Sequence, residues 1–490
     1  MFYKSTRSTE NQGITASMAI KQGLSNDGGL FMPNEIPTLT KDEILSLTDK
    51  GYAERAAYVL SKFLNDYTYE ELLEDCQNAY CEASFPGGAA PIRKINGDIY
   101  SLELWHGPTC AFKDMALQIM PRLLSRALVK NGEKRTALIL VATSGDTGKA
   151  ALEGYKDIDG IKIAVYYPQN GVSRVQKLQM ATQTGSNVSV YAIKGNFDDA
   201  QTGVKKIFSD ADMKKQLDEN GVFLSSANSI NWGRLAPQIA YYVSAYCDLI
   251  NNGTIAYGEK IDVCVPTGNF GNIFAAYIAK LMGLPIEKFI CASNKNNVLT
   301  DFLSSGTYDR NRTFHATISP SMDILISSNL ERLLYLTCGA EKTAEYMRQM
   351  NENGKYTLSD TDFAKIKAEF EGFYTDENDT KKAIQTVFDE YGYLMDTHTA
   401  VGYNALMQYK TKRTTVLAST ASPYKFACDV FEAIAGKPAK DELSALEELS
   451  EMTKTEIPTP LCNIGERAVR FSAEIEKDDM KASVIEFSRS

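Results

Sequence analysis

The chain has 490 residues, more than one simple core accommodates, and its 44% hydrophobic and 23% charged content is that of a globular protein. Acids outnumber bases 62 to 52, and the net charge of −10 argues against a nucleic-acid or anionic-membrane surface. No apolar run approaches a membrane span, nine cysteines show no CxxC, and three scattered histidines (His106, His315, His398) argue against a metal site, so no metal is expected. The opening MFYKSTRSTENQG lacks the apolar core of a signal peptide, and a cytoplasmic protein with reduced thiols is expected.

Residues 1–96 read as a mostly helical N-terminal domain, in which TKDE (40–43) and TYEE (68–71) fit capping boxes ahead of apolar-periodic segments. HGPTCAFKDMALQ (106–118) follows, with Lys113 opening a helix that runs toward Asn131-Gly132. A helix N-terminus favours acids, so Asp114 suits this start and Lys113 does not. Lys113 also shares its helical stripe with Ala116, Leu117 and Met120, the face meant for the core.

From residue 97 onward, short β-branched runs alternate with helical stretches. The runs are RTALILVAT (135–143), IKIAVYYP (161–168), NVSVYAI (187–193), KIDVCVPT (260–267), KFICAS (288–293) and RTTVLAST (413–420). Their nearly continuous apolar character predicts strands buried on both faces of parallel sheets, an α/β fold. Four of the six end in Thr or Ser, and ligands of open α/β sheets bind beyond such strand ends. The expected division is an α/β catalytic region over 97–430, with a smaller lobe over roughly 115–230, and a C-terminal helical segment over 431–490. The acidic run KDELSALEELSEM in that segment reads as a solvated helix face.

Four strand ends are candidates for chemistry. ATSGDTGKAALEG (142–154) runs from strand through a Gly-rich turn into a helix, a ready anion site, although the P-loop spacing is absent. PTGNFGNIFAAYIAK (266–280) brackets Asn269 and Phe270 with Gly268 and Gly271 and reads as a phosphate cradle. SANSINWGR (226–234) gathers an amide, a hydroxyl and a guanidinium, which suit a phosphate or carboxylate but equally a helix cap with a surface arginine. LASTASPYKF (417–426) ends a strand in Ser419 and Thr420. A lysine on a dry face, two anion cradles and a strand-end hydroxyl together fit a pyridoxal-phosphate enzyme, whose cofactor aldehyde condenses with a lysine amine.

The sequence resembles the threonine synthase family of fold-type-II pyridoxal-phosphate enzymes over nearly its whole length. YKSTR with NDGGLFMP, HGPTCAFKD, ATSGDTG, NSINWGR, GNFGN, NKNNVLTDFL, PSMDILISSNLERLL and DTHTAVGYNAL stand in the family's order. HGPTCAFKD and the N-terminal block point to the longer microbial and fungal-like branch. Two departures are Ala421-Ser422-Pro423, where AHP is frequent, and Lys149, where a small residue is usual.

The resemblance implies an α/β, tryptophan synthase β-like fold with two sheet-containing lobes. It implies pyridoxal 5'-phosphate as cofactor and β,γ-replacement of O-phospho-L-homoserine by water, giving L-threonine and phosphate. Lys113 would join the cofactor and then shuttle protons. Gly268, Asn269, Phe270, Gly271 and Asn272 would hold its phosphate, and Thr420 would face its ring nitrogen. Ser144, Gly145, Asp146 and Thr147 would bind the substrate's α-carboxylate side. Asn228, Ser229 and Arg234 would grip the substrate phosphate, with Lys149, Lys4 or Arg7 as other sources of positive charge. The expected partner is a small molecule, with no nucleic acid or membrane, and the chain a monomer or homodimer. A dehydratase or β-replacement enzyme of the same fold stays open, as does a non-catalytic phosphate-binding module.

Overall fold

The computed structural model describes all of residues 1–490 except 11, 144 and 171. Two parallel-stranded sheets organise it. The larger runs Phe370–Tyr374, Ile286–Ser293, Ile261–Pro266, Thr415–Ser419, Ile99–Glu103 and Ile92–Asn96 from edge to edge, with only the last pair antiparallel. The smaller runs Glu474–Glu476, Val188–Lys194, Ile161–Pro168, Thr136–Ala142 and Val222–Ser225, all parallel. Central strands are buried throughout, as in IDVCVP and TVLAS, because helices cover both faces. The edge strand Ile92–Asn96 instead exposes Arg93 and Lys94, charges that blunt further pairing.

The N-terminal region is helical, with Thr40–Glu43 and Thr68–Glu71 forming reciprocal capping boxes. It also holds a two-stranded antiparallel ribbon, Tyr3–Ser5 with Phe31–Pro33. This region is anchored to the helix Trp232–Asn251, whose buried Trp232 ring lies 5.5 Å from Tyr3 and 5.6 Å from Phe63. Burying aromatic side chains of this size stabilises by roughly 1.5–3 kcal/mol each, which holds the domain on the catalytic region.

Two expectations need correction. The helix after Lys113 is not continuous: it spans Lys113–Leu117, breaks at Gln118-Ile119, and resumes as Met120–Lys130. Pro121 has no N–H to offer the Leu117 carbonyl one turn back. The freed carbonyl points at the helix Asp146–Tyr155, where a Cβ on Gly154 would lie 1.8 Å from it, so only glycine permits the approach. The C-terminal segment is also not wholly helical. Glu474–Glu476 adds an edge strand beside Val188–Lys194, and the helix Met480–Arg489 then packs on the smaller lobe through Met480, Val484 and Phe487. So short a strand carries no periodicity of its own and forms because Val188–Lys194 leaves an open edge.

Candidate active site

The loop before Lys113 is shaped by Asp114. That carboxylate is fully buried and accepts hydrogen bonds from the Thr109 N–H at 2.8 Å and the Thr109 hydroxyl at 2.7 Å. Asp114 therefore latches the loop and does not merely complement a helix dipole, which a helix of five residues carries weakly. Burial raises its carboxyl to about 6 despite those bonds. The loop is stitched to the strand end after Thr415–Ser419: Phe112 N–H donates to the Thr420 carbonyl at 2.8 Å, and Ser422 N–H to the Cys110 carbonyl at 3.0 Å. Thr420 thus comes beside Phe112 and Lys113, as one site requires. Ser422 caps the following turn by accepting from Tyr424 N–H.

Lys113 Nζ lies 3.2 Å from Ser321 Oγ and 3.4 Å from Asp146 Oδ2, and those two oxygens are 3.1 Å apart. Burial lowers the lysine's proton affinity; Asp146 opposes this, and Lys425 and Arg234 reinforce it. Asp146 Oδ1 is engaged separately, by Lys425 Nζ at 2.9 Å and Gln176 Nε2 at 2.8 Å. Burial alone would raise the Asp146 carboxyl, but the Lys425 and Lys113 ammonium groups outweigh it and hold the acid ionised. Ser321 is itself positioned, its N–H donating to His398 Nε2 at 3.1 Å. His398 Nδ1 meets Asp396 at 2.7 Å, which fixes the tautomer that leaves Nε2 free to accept. Below the turn, Asp323 accepts from Asn294 at 2.7 Å and Asn296 at 2.9 Å.

The Gly268–Asn272 turn packs against the same element. A Cβ on Gly268 would stand 2.8 Å from the Ser321 carbonyl, so glycine is needed for the close approach. Phe270 adopts φ +64°, an unusual conformation for a bulky residue, and immediately starts the helix Gly271–Leu281. Its carbonyl neighbour is fixed by Asn329, whose N–H donates to the Asn269 carbonyl at 3.0 Å. The helix N-terminus presents backbone donors. Asn272 adds a buried Nδ2 that has no partner among the described residues, while its Oδ1 accepts from the Tyr242 hydroxyl. Donors converging on a glycine-walled turn fit an anionic phosphate.

Asn231 caps the helix Trp232–Asn251 by accepting from Gly233 N–H at 2.8 Å, which sets Arg234 in the first turn. Arg234 is buried, donates to the Ala227 carbonyl at 2.9 Å and leaves Nε without a partner among the described residues. Desolvation lowers it to about 10. Asn228 is exposed, and Ser229 is tied to the cradle because Asn329 Nδ2 spans its carbonyl (3.4 Å) and that of Asn269 (3.1 Å).

In the smaller lobe, Thr143 Oγ1 accepts from Gly145 and Gly148 N–H, both at 3.0 Å, and shapes the turn before Asp146. Gly145 has φ +150°, and Thr147 is half-buried. Ser144 lies outside the described residues. Lys149 bonds Glu153 at 3.0 Å and Gln183, and Arg7 forms a two-pronged pair with Glu331 at 2.8 and 2.9 Å, so both cations are engaged elsewhere. Ser321, His398, Asp396, Gln176 and Lys425 were not singled out from sequence as site residues. The signal available for Lys425 was a lysine set among Pro423, Tyr424 and Phe426 directly after a strand end.

Three family models match the chain: threonine synthase N terminus over 2–80, pyridoxal-phosphate dependent enzyme over 87–419, and threonine synthase, C-terminal, over 399–460. Threonine synthase-like 1 of Macaca fascicularis is 41% identical over 442 residues, covering 88% of this chain; the chain spans only 59% of that relative's length. Threonine synthase of Pseudomonas aeruginosa is 39% identical, with 87% of this chain and 89% of the relative aligned. The crystal structure of pyridoxal-phosphate-bound threonine synthase from Brucella melitensis superposes with a TM-score of 0.90 at 36% identity, covering 100% of both chains. The yeast threonine synthase structure gives 0.88 at 32% identity, covering 99% of this chain and 98% of that one. The two-lobed parallel-sheet architecture, the glycine-walled cradle beside a largely enclosed lysine and these matches place the chain in the threonine synthase family of fold-type-II pyridoxal-phosphate-dependent enzymes.

Proposed function

We propose that the chain is a threonine synthase, converting O-phospho-L-homoserine and water to L-threonine and phosphate, the last step of threonine biosynthesis. One observation carries this reading. Lys113, a largely enclosed amine between Asp146 and Ser321, faces a site that also holds the Gly268–Asn272 cradle and the buried guanidinium of Arg234. One anion cradle serves the cofactor phosphate, and a separate buried cation serves a substrate that carries its own phosphate.

When bound, pyridoxal phosphate supplies an aldehyde for the lysine and an electron sink that acidifies the substrate Cα–H. Gly268 to Asn272 would hold its phosphate and Thr420 would face its ring nitrogen. Lys113 Nζ takes the proton from Cα and returns protons later in the reaction, a role suited by its lowered proton affinity. Gly145 and Thr147 would bind the substrate carboxylate side, as would Ser144, which lies outside the described residues. Asp146, being anionic and turned to Lys113, contributes to that loop by holding the amine. Arg234, with Asn228 and Ser229, grips the phosphate, and the loss of that phosphate from Cγ is followed by addition of water at Cβ. The substrate is a small molecule and we place the protein in the cytoplasm, consistent with nine free cysteines, five of them buried.

The test is phosphate release from phosphohomoserine with threonine as product, set against ammonia and 2-oxobutyrate formation from threonine. Higher efficiency on threonine would make the chain a dehydratase instead.

A further inference from the structure

One carboxylate serves two lysines. Asp146 Oδ2 faces Lys113 Nζ at 3.4 Å and Oδ1 faces Lys425 Nζ at 2.9 Å, and the Lys425 side chain has no solvent exposure. The other partners of Lys425 are neutral: the Thr109 carbonyl at 2.8 Å and Gln179 Oε1 at 3.5 Å. With both lysines protonated the group carries one excess positive charge. It becomes neutral once Lys113 loses its proton or gives up its amine to a bond. In a dry pocket the neutral arrangement is favoured, because an uncompensated buried charge is costly.

We propose that Lys425 is a positioning residue that acts through Asp146: as the closer counter-ion of that carboxylate, at 2.9 Å against 3.4 Å, it leaves Lys113 the member of the group that can be uncharged. This rests on the reading of Lys113 as the cofactor lysine. Without Lys425, Asp146 would have only Lys113 as a cationic partner and would hold it as ammonium, which neither attacks an aldehyde nor accepts a proton. Lys425 reaches this position because Ser422 to Phe426 form a short turn immediately after the strand end that meets the Lys113 loop. Among the described residues Gln179 Nε2 is buried without a partner, while its Oε1 accepts from Lys425.

Other charges around the group come from several elements. Arg234, on the helix Trp232–Asn251, also disfavours the charged form of Lys113. Lys149 and Glu153 form a pair on the helix Asp146–Tyr155, and Asp114 sits beneath the loop with Cys110. His398 reaches Lys113 only through Ser321. Among the described residues, the cations in contact with Asp146 are the two lysines.

The experiment follows the reaction of Lys113 with pyridoxal phosphate in the full chain after removal of the cofactor. Visible absorbance and borohydride reduction with peptide mapping are read across about pH 6 to 10. In Lys425→Gln the midpoint of the pH dependence should rise by about one pH unit or more, the effect of removing one charge at this range. The turnover lost at neutral pH should return in part at higher pH, which a merely structural defect would not do. Gln179→Glu, an isosteric change that gives Lys425 a carboxylate of its own, should move the midpoint the same way, and it serves if Lys425→Gln fails to fold. Asp146→Asn should move it downward. An unchanged or lowered midpoint in Lys425→Gln, or in Gln179→Glu where that variant stands in, overturns the proposal. A reducible adduct that persists in Lys113→Ala instead overturns the reading of Lys113, whatever Lys425 does.

Discussion

Replacing Asp114 with asparagine should stabilise the protein at neutral pH, although Asp114 accepts two hydrogen bonds. Both come from Thr109, one from its N–H at 2.8 Å and one from its hydroxyl at 2.7 Å. An asparagine can keep both: its carbonyl accepts from the N–H, and its NH₂ donates to the hydroxyl, which reverses its role. What the substitution removes is a buried charge. The Asp114 carboxyl is raised from 3.8 to about 6 by burial, so the folded chain favours its protonated form. Stability from that preference is fully present below the unfolded value and is lost as pH rises through about 6. At 1.36 kcal/mol per pH unit the loss is about 3 kcal/mol by pH 7. The difference between Asp114→Asn and the parent should therefore be near zero at about pH 4 and grow to about 3 kcal/mol in favour of the variant by pH 7. Asp114→Ala, by contrast, leaves the two Thr109 donors buried without acceptors, at about 1–3 kcal/mol each, and should loosen the loop that carries Lys113. Apparent melting temperature and denaturant midpoint, measured across this pH range for parent and both variants, check the prediction. A difference between Asp114→Asn and parent that stays flat across the range, or a less stable Asp114→Asn at pH 7, would refute the assignment of burial as the dominant effect.

Gly154→Ala should cost more than about 3 kcal/mol, because the added Cβ would sit 1.8 Å from the Leu117 carbonyl and two helix backbones would have to separate; soluble yield and melting temperature report it, and a parent-like variant would mean the helices are not held at this distance. Gly268→Ala should weaken cofactor retention at least tenfold with little change in melting temperature, since the cradle would be pushed off the Ser321 carbonyl; equilibrium binding followed by absorbance measures this. Arg234→Met should raise KM for phosphohomoserine by about 10–100-fold, the worth of a charge-assisted contact; an unchanged KM would move the phosphate to another cation.

The sequence by itself determined the fold class, because six nearly continuous apolar runs alternating with helices can be buried only as parallel strands covered on both faces. It also singled out Lys113, since an ammonium on a core-facing stripe contradicts its own surroundings, and it marked the glycine turn at 268–271 through residues that only close approach explains. The break at Gln118 was in principle legible from Pro121, but the long apolar stripe on either side concealed it. Only the tertiary structure decided what surrounds the Lys113 amine. Ser321, Asp146 and Lys425 are separated in the chain by 208, 33 and several hundred residues from Lys113 and meet because three strand ends and a turn converge there. The same convergence gave Asp114 its role as a latch, and turned Asp146 toward the lysine. A buried lysine in one segment and a carboxylate in another do not reveal from sequence which will pair, because the pairing energy depends on distance and desolvation, and both are set by packing.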